Sequence, residues 1–473
     1  MDIVQAMRGC VGDVQVLTGD DAERYGRDWM GAYVTQPLCV VRPANRDEVA
    51  AVLRLANAWR VPVVPVSGNT GLVGGTAAQG AVMLSLERMT AIREIRPQAR
   101  VAVVEAGVVL ARLQEAAEDL GLYFPLWFGA RGSAMIGGAL STNAGGSNVL
   151  RYGSTRGLVL GLEVVLPDGR VLDLMSELHK DNSGYDLRDL FIGAEGTLGV
   201  ITAAVVKLVP KPAAYATATL ACPTLTAALE VLNRLQGVTG GAVEAFEYMP
   251  RGYLQRLAEA RADLGQPFAD MHDVTILVEV GATAPRDSTP GPDGAVPVVG
   301  LLENVLGAMM EEGLVLDAIV ARSESQRHAM WARREAAAEI TLGLRPIVDT
   351  DVAVPLDKVA VFLEQMEARL QTLDPGARAL VVAHLGDGNL HYTACPTRDD
   401  PVLKDAIRSA VEDVVQGLRG SFSAEHGVGL SKLPSMTRRK DPVALDVMRM
   451  LKAAFDPNTI LNPGKTVPPD QDI

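Results

Sequence analysis

His384-Leu385-Gly386-Asp387-Gly388-Asn389-Leu390-His391, together with Glu425-His426, places three of the chain's six histidines in its C-terminal half. Apolar flanks, Ala379 to Leu385 and Leu390 to Cys395, enclose Gly-Asp-Gly-Asn, which is turn composition, so a β-hairpin is expected. If Leu385 pairs with Leu390, His384 stands opposite His391. Directly opposed residues share a face with Cβ atoms roughly 4.5–5.5 Å apart, which suits two imidazoles on one divalent ion. Glu425 is the candidate third ligand. Neighbouring residues in extended chain point to opposite faces, so Glu425 is assigned to the metal and His426 is left beside it as a base. Two His and a carboxylate suit zinc, with manganese or iron as alternatives. A lone histidine would more often be a core or turn residue; two paired across a hairpin, with an acid-His pair besides, favour a site.

Elements must hold these groups, and the composition says of what kind. At 473 residues and 48% hydrophobic, the chain is long enough for two or three domains with sizeable cores. A net charge of −13 opposes binding to phosphate backbones or anionic membranes, so no nucleic acid partner is expected. Cys10, Cys39, Cys222 and Cys395 are dispersed, without the spacing of an iron–sulfur cluster or a disulfide framework, which suits a reducing, cytoplasmic setting. The start, Met1-Asp2-Ile3-Val4-Gln5, lacks a basic-then-apolar leader, and no apolar run approaches the ~18 residues of a membrane span.

Up to about Pro212, runs such as Val61 to Val66, Ala81 to Leu86 and Val101 to Val104 alternate with helical segments at Arg46 to Trp59 and Leu110 to Leu120. Pro210-Lys211-Pro212 punctuates the chain. Helices near Thr224 to Gln236 and Pro297 to Glu312 then accompany strands near Thr275 to Val280 and Ala379 to Leu385. The expected division is 1–212, 213–420 and a closing segment 421–473. Residues 284–297 read as an exposed loop without function.

Glycine is concentrated in the first block. Ser67-Gly68-Asn69-Thr70-Gly71-Leu72-Val73-Gly74-Gly75 follows a strand, and such a loop lets backbone amides converge on phosphate oxygens. It is neither a Walker A loop nor the Gly-x-Gly-x-x-Gly dinucleotide loop, and alone it would as readily be a tight turn. Two further runs, Gly132 to Gly146 and Gly193 to Ile201, extend the surface open to close backbone approach. Three such runs suit an extended ligand such as a dinucleotide.

These segments, with Leu150-Arg151-Tyr152-Gly153, Leu190-Phe191-Ile192-Gly193 and Asn462-Pro463-Gly464-Lys465, closely resemble the FAD-linked 2-hydroxyacid dehydrogenases of the vanillyl-alcohol oxidase superfamily, from about residue 36 to 466. The resemblance implies an α+β protein: a two-part FAD-binding domain, an α+β cap over the substrate, and a C-terminal helical segment packing back on the FAD domain. It implies that Gly68, Asn69, Thr70 and Gly71 hold the FAD pyrophosphate, and that Ser133, Ile136, Gly138, Thr142 and Gly145 line the cofactor further along. Glu195, Gly196, Gly199 and Ile201 are implied to complete that site, with Asn462 facing the flavin ring. Neither glycine loop carries the His or Cys of a covalent flavin linkage, so FAD is expected to be non-covalent.

The implied reaction takes a D-2-hydroxy acid to its 2-oxo acid, with hydride passing to flavin N5 and the metal stabilising the developing alkoxide. His426 would accept the hydroxyl proton, with activity rising through its pKa. Arg334, in Trp331-Ala332-Arg333-Arg334-Glu335, matches the family arginine that clasps the substrate carboxylate, leaving Arg333 as the surface residue. Ala338 and Asp349 replace the Thr and Lys of the hydroxyglutarate branch. A D-lactate-like or larger apolar monocarboxylate is therefore favoured over D-2-hydroxyglutarate, and Thr393 is a further contact candidate. A non-redox transferase on the same scaffold is an alternative. Without an iron–sulfur motif, electrons must leave directly to a quinone, an electron-transfer flavoprotein or a cytochrome. Oligomeric state, a homodimer included, stays open.

Overall fold

Val63–Val66 and Val82–Ser85 are short apolar runs whose separation exceeds any hairpin, and in the computed structural model, which describes residues 2–469, they lie side by side in parallel. They belong to the first of two units, built from the described parts of Met1–Gly145, Gly153–Pro210 and Glu425–Ile473; the second comprises Gly146–Tyr152 and Lys211–Ala424.

In the first unit, strands β1 (Val16–Leu17), β2 (Cys39–Val41), β3 (Val63–Val66) and β4 (Val82–Ser85) form a sheet in the order β1-β2-β4-β3. Helix α1 (Arg46–Trp59) carries the chain from β2 to β3. Asn45 starts this helix by accepting the Glu48 amide at 3.0 Å, and Arg60 ends it in the left-handed region at φ 53°. Val49, Val52, Leu53 and Ala56 recur at helical spacing and bury one stripe against Val41, Val63 and Leu84. A second, antiparallel sheet joins β5 (Ile92–Arg96), β6 (Val101–Glu105), β7 (Val159–Val165), β8 (Val171–Leu174) and β9 (Val200–Lys207) in the order β5-β6-β9-β7-β8. A short helix α2 (Ile136–Ser141) lies in the glycine-rich run.

The second unit is built on seven antiparallel strands: β10 (Ala214–Cys222), β11 (Val243–Pro250), β12 (Val274–Ala282), β13 (Asp317–Val320), β14 (Val348–Ala353), β15 (Arg378–His384) and β16 (Asn389–Cys395). Their order is β13-β10-β12-β11-β15-β16-β14. The longer helices of this unit are α3 (Leu225–Thr239), α4 (Arg251–Ala260), α5 (Pro297–Glu311), α6 (Glu324–Glu335), α7 (Val359–Leu373) and α8 (Pro401–Gly417), the last of them following the final strand. Strand side chains alternate between faces. Ala218, Leu220, Ile276, Val278, Phe246, Ala383, Leu390 and Tyr392 point to one face, where α3, α5, α7 and α8 close the main core. On the opposite face α4 and α6 cover only part of the sheet, with Tyr253, Leu254, Leu257 and Met330 packing on Leu277, Leu380 and Val382. What remains of that face is polar, and it carries the histidines. The whole is α+β. Among the described residues no helix is long and apolar enough to cross a membrane.

Candidate active site

The hairpin forms, but in a different register from the expected one. His384 pairs with Asn389 and Val382 with His391, so the loop is Leu385 to Gly388 and begins one residue early. The turn's own bonds explain the shift. The amides of Asp387 and Gly388 both donate to the His384 carbonyl, at 3.2 and 3.1 Å, and Asp387 Oδ1 takes the Asn389 amide at 3.1 Å. Gly388 sits at φ +82°, where a Cβ would meet the Val354 carbonyl oxygen at 2.2 Å, so glycine is required there. His384 and His391 are consequently diagonal neighbours rather than direct opposites. They still share a face, with ring centroids 5.3 Å apart.

Carboxylates surround them. Asp351 lies opposite His391 on β14, with Oδ1 4.0 Å from His391 Nδ1, and receives the Asn389 amide nitrogen at 2.9 Å. Asp349 lies opposite Thr393, whose hydroxyl donates to it at 2.6 Å. On the other flank, Glu247 of β11 pairs in register with His384, and its Oε1 is 2.8 Å from His384 Nδ1. This contact fixes the orientation of the His384 ring on the polar face.

Glu247 also meets Arg334, Oε2 to Nε at 2.9 Å, as an ion pair without hydrogen-bond alignment. Glu247 is 1% exposed and Arg334 8%. Burial alone would push the Glu247 carboxyl up, but His384 and Arg334 outweigh it and hold the group below its ordinary value. Arg334 is the last-turn arginine of α6, and α6 is anchored to the sheet elsewhere. Arg327 grips Glu279 of β12 with Nε at 2.6 Å and Nη2 at 2.8 Å, while Trp331 Nε1 and the Thr217 hydroxyl bond the same carboxylate at 2.9 and 2.6 Å. The helix is thus fixed without using Arg334. Its Nη2 is buried and, among the described residues, bonds to nothing. Arg333 differs: it spends Nε on the Leu264 and Gly265 carbonyls. Ala338 is exposed.

In the first unit, Asn69 to Gly75 form an irregular loop after β3. Among the described residues none of those seven amides reaches a carbonyl or side-chain acceptor, although Val73 and Gly74 are buried. A loop whose amides are unspent can turn them on an anion such as a pyrophosphate. Asn69, at φ 52°, braces it by donating to the Arg27 carbonyl at 3.1 Å and accepting the Thr76 hydroxyl at 2.7 Å. Thr70 and Gly71 complete the curve, and space is open where a Gly71 Cβ would lie. Gly68 instead serves close packing, since a Cβ there would sit 2.3 Å from the Ser133 carbonyl oxygen. Ser133 is exposed before α2, Gly138 faces Ser67, and Thr142 caps α2 with its hydroxyl on the Gly138 carbonyl at 3.1 Å. Ile136, Gly199 and Ile201 lie inside the packing, and Gly196, at φ 70°, abuts Pro65.

Asn462 is 1% exposed, and its side-chain amide is fully engaged: Nδ2 donates to the Gly75 and Glu195 carbonyls at 3.0 and 2.8 Å, and Oδ1 accepts Lys465 Nζ at 2.7 Å. It ties two glycine loops to the C-terminal segment. Burial pushes the Lys465 amine down to about 8, against the partial support of Glu195.

Glu425 and His426 open the first unit's last segment, directly after Ala424, the final residue of the second. Ser421 to Ala424 runs beside β14: Ser421 and Ala353 exchange backbone bonds, and the Ala424 amide reaches the Asp351 carbonyl at 3.2 Å. The acid-His pair therefore begins one peptide bond from a residue tied to the strand facing His391. Within its own unit the Glu425 carboxylate rests at Gly145, where a Cβ would lie 2.7 Å from Oε1.

Glu247 and Asp351 are not among the site residues expected from the sequence. The available signal is an acid inside a run of buried apolar residues, as in Val243-Glu244-Ala245-Phe246-Glu247-Tyr248-Met249.

One unit carries a loop of unspent amides, and the other a polar face of imidazoles, carboxylates and an unspent guanidinium. Residues 37–175 match the FAD binding domain family, and residues 211–466 match the family described as FAD linked oxidases, C-terminal domain. D-2-hydroxyglutarate dehydrogenase of Stutzerimonas stutzeri is 36% identical over 472 residues, covering 98% of both chains. The mitochondrial D-2-hydroxyglutarate dehydrogenase of Bos taurus is 37% identical over 99% of this chain and 84% of its own. Among solved structures, p-cresol methylhydroxylase with substrate bound superposes with a TM-score of 0.73 at 17% identity, over 98% of this chain and 96% of its own, a likeness of fold. The chain belongs to the family of FAD-linked oxidases that includes the D-2-hydroxyglutarate dehydrogenases and is an FAD-dependent oxidoreductase.

Proposed function

We propose that the protein oxidises a D-2-hydroxy acid to the 2-oxo acid, and that D-2-hydroxyglutarate, which its relatives are named for, is the first substrate to test. The observation that carries this reading is Arg334: a buried guanidinium with Nη2 unspent, beside the carboxylate that holds His384. Such a group is built to take a substrate carboxylate in a forked bond. FAD, non-covalently held, would supply the hydride acceptor, and His384, His391 and Glu425 would hold a divalent ion, with zinc ahead of manganese or iron, that would supply Lewis acidity. Arg334 binds and orients the substrate's C1 carboxylate. Glu247 holds the His384 ring in place through Nδ1. His426 takes the proton of the C2 hydroxyl, and the hydride leaving C2 would go to flavin N5. The electrons then pass to a quinone, an electron-transfer flavoprotein or a cytochrome.

One observation favours a second reading, a D-lactate-like monocarboxylate. Asp349 is exposed at the edge of the polar face, bonded to Thr393, where its charge would repel a distal carboxylate. Anaerobic mixing of purified flavoprotein with D-2-hydroxyglutarate or D-lactate, before and after chelator treatment, tests the proposal. The flavin band should bleach only with the metal present. If no hydroxy acid bleaches it, the function is refuted. The ratio of kcat/KM for the two acids, in the wild type and in Asp349→Asn, decides between the readings: a ratio favouring D-lactate that reverses on removing the charge supports the second.

A further inference from the structure

We propose that Glu195 is a positioning residue for the Glu425-His426 pair rather than a contact of the cofactor; the proposal rests on the metal and base roles given to those two residues above. Glu195 belongs to a glycine loop of the FAD-binding half, yet both of its carboxylate oxygens are committed elsewhere. Oε1 accepts the Val428 amide at 2.8 Å, and Oε2 the Gly429 amide at 2.9 Å. These two amides begin two residues after His426. Charge-assisted bonds from one buried carboxylate to consecutive amides are short and strong, and they fix the direction of the backbone that enters them. Glu195 is 9% exposed and held at φ 51°, a left-handed conformation that a non-glycine residue adopts only when its surroundings impose it.

Independent contacts converge on the same turn. Gly427 is at φ 76°, and a Cβ there would lie 2.9 Å from Glu195 Oε1, so the carboxylate presses on the residue immediately after His426. Gly429 is at φ 50°, where a Cβ would come within 2.3 Å of the Val73 carbonyl oxygen. That carbonyl accepts the amides of Leu430 and Ser431 at 2.8 and 3.1 Å, and the Gly429 carbonyl accepts the Thr466 amide at 3.0 Å. On the other side of His426, the Glu425 carboxylate lies against Gly145. The residues before and after His426 are therefore both moored, and Glu195 accepts two amides of the later ones. A ligand or base held by such a clamp keeps its orientation when substrate arrives; removing the clamp lets the turn relax, and groups that orient metal ligands typically matter ten- to hundred-fold.

The test uses the FAD-loaded enzyme, stripped of metal by chelator and titrated with zinc alone. In Glu195→Gln one amide loses its acceptor, while the side chain keeps its volume. The expected result is unchanged flavin content by visible absorption, zinc affinity weaker by roughly ten- to hundred-fold, and kcat/KM lowered in parallel, with partial recovery in Glu195→Asp. Gly427→Ala, which pushes on the clamp without altering Glu195, should reproduce the pattern and serves if Glu195→Gln does not fold. Loss of flavin with zinc affinity intact would overturn the proposal, as would zinc affinity equal to that of the wild type. The zinc titration needs no substrate, so a wild type that binds zinc but oxidises no hydroxy acid refutes the functional reading alone.

Discussion

Glu247→Gln is the sharpest perturbation available, because one isosteric change removes the counter-charge of Arg334 and the partner of His384 together. Both contacts are close, an ion pair of 2.9 Å to Arg334 Nε and a hydrogen bond of 2.8 Å to His384 Nδ1, and both lie where water hardly reaches, with Glu247 1% and Arg334 8% exposed. An exposed ion pair would be worth under about 1 kcal/mol, but stranding one charge of a buried pair costs on the order of 3–5 kcal/mol. That is a large fraction of the ~5–15 kcal/mol that holds an ordinary domain folded, so unfolding of the second unit should shift visibly. Denaturant titration should show a lower midpoint with an unchanged slope, the sign of lost stability rather than an altered unfolded state. The variant should also gain more from a carboxylate ligand than the wild type, since the ligand then becomes the sole counter-charge of Arg334. Saturating D-2-hydroxyglutarate should therefore raise Tm further in Glu247→Gln than in the wild type. Zinc affinity should fall, because a glutamine holds the His384 ring less firmly. A variant with wild-type stability and no extra ligand stabilisation would show that Glu247 and Arg334 are not the coupled pair the geometry describes.

Arg334→Lys keeps the charge and loses the fork, and kcat/KM for the hydroxy acid should drop roughly ten- to hundred-fold, mostly through KM; steady-state kinetics check this, and an unchanged KM would remove Arg334 from carboxylate binding. Lys465, 5% exposed, has its amine pushed down to about 8 by burial, from an ordinary 10.5. Its folded pKa is lower than its unfolded one, so between about pH 8 and 10.5 the unfolded chain binds the extra proton and stability rises with pH across that window, by on the order of 3 kcal/mol. Below pH 8 the burial cost is fully present. Denaturant unfolding of Lys465→Met, which has no such amine, should lack that rise, and parallel pH profiles in the two proteins would refute it.

Much of the fold is legible in the sequence, because hydrophobic period and capping chemistry are local. Arg46–Trp59 carries both an apolar stripe and an Asn N-cap, and the first-unit strands are plain Val-rich runs. The hairpin shows where local reading stops. Its turn composition names the element, but the register follows from two amides that choose the His384 carbonyl and from the room Gly388 needs beside Val354. That second constraint comes from another strand and leaves no trace in the hairpin's own residues. Nor does any local pattern reveal that Glu195 answers to Val428 and Gly429, more than two hundred residues away.

The acids that matter most share a property that could have been read without coordinates. Glu247 and Glu279 each interrupt a strand whose other residues are nearly all buried, Val243–Pro250 and Val274–Ala282. A carboxylate in the middle of a central strand is locally a poor choice, since it adds desolvation cost and strand-averse chemistry where valine would serve. It persists only where a cation justifies it, and each of the two has one: Arg327 for Glu279, Arg334 for Glu247. The two pairs differ in one respect that separates scaffold from site. Glu279 is saturated by Arg327, Trp331 and Thr217, with both guanidinium bonds aligned. Arg334 keeps an unspent Nη2. A buried polar group left incomplete is where a fold departs from its own rules, and such departures are expected where a ligand supplies the missing partner.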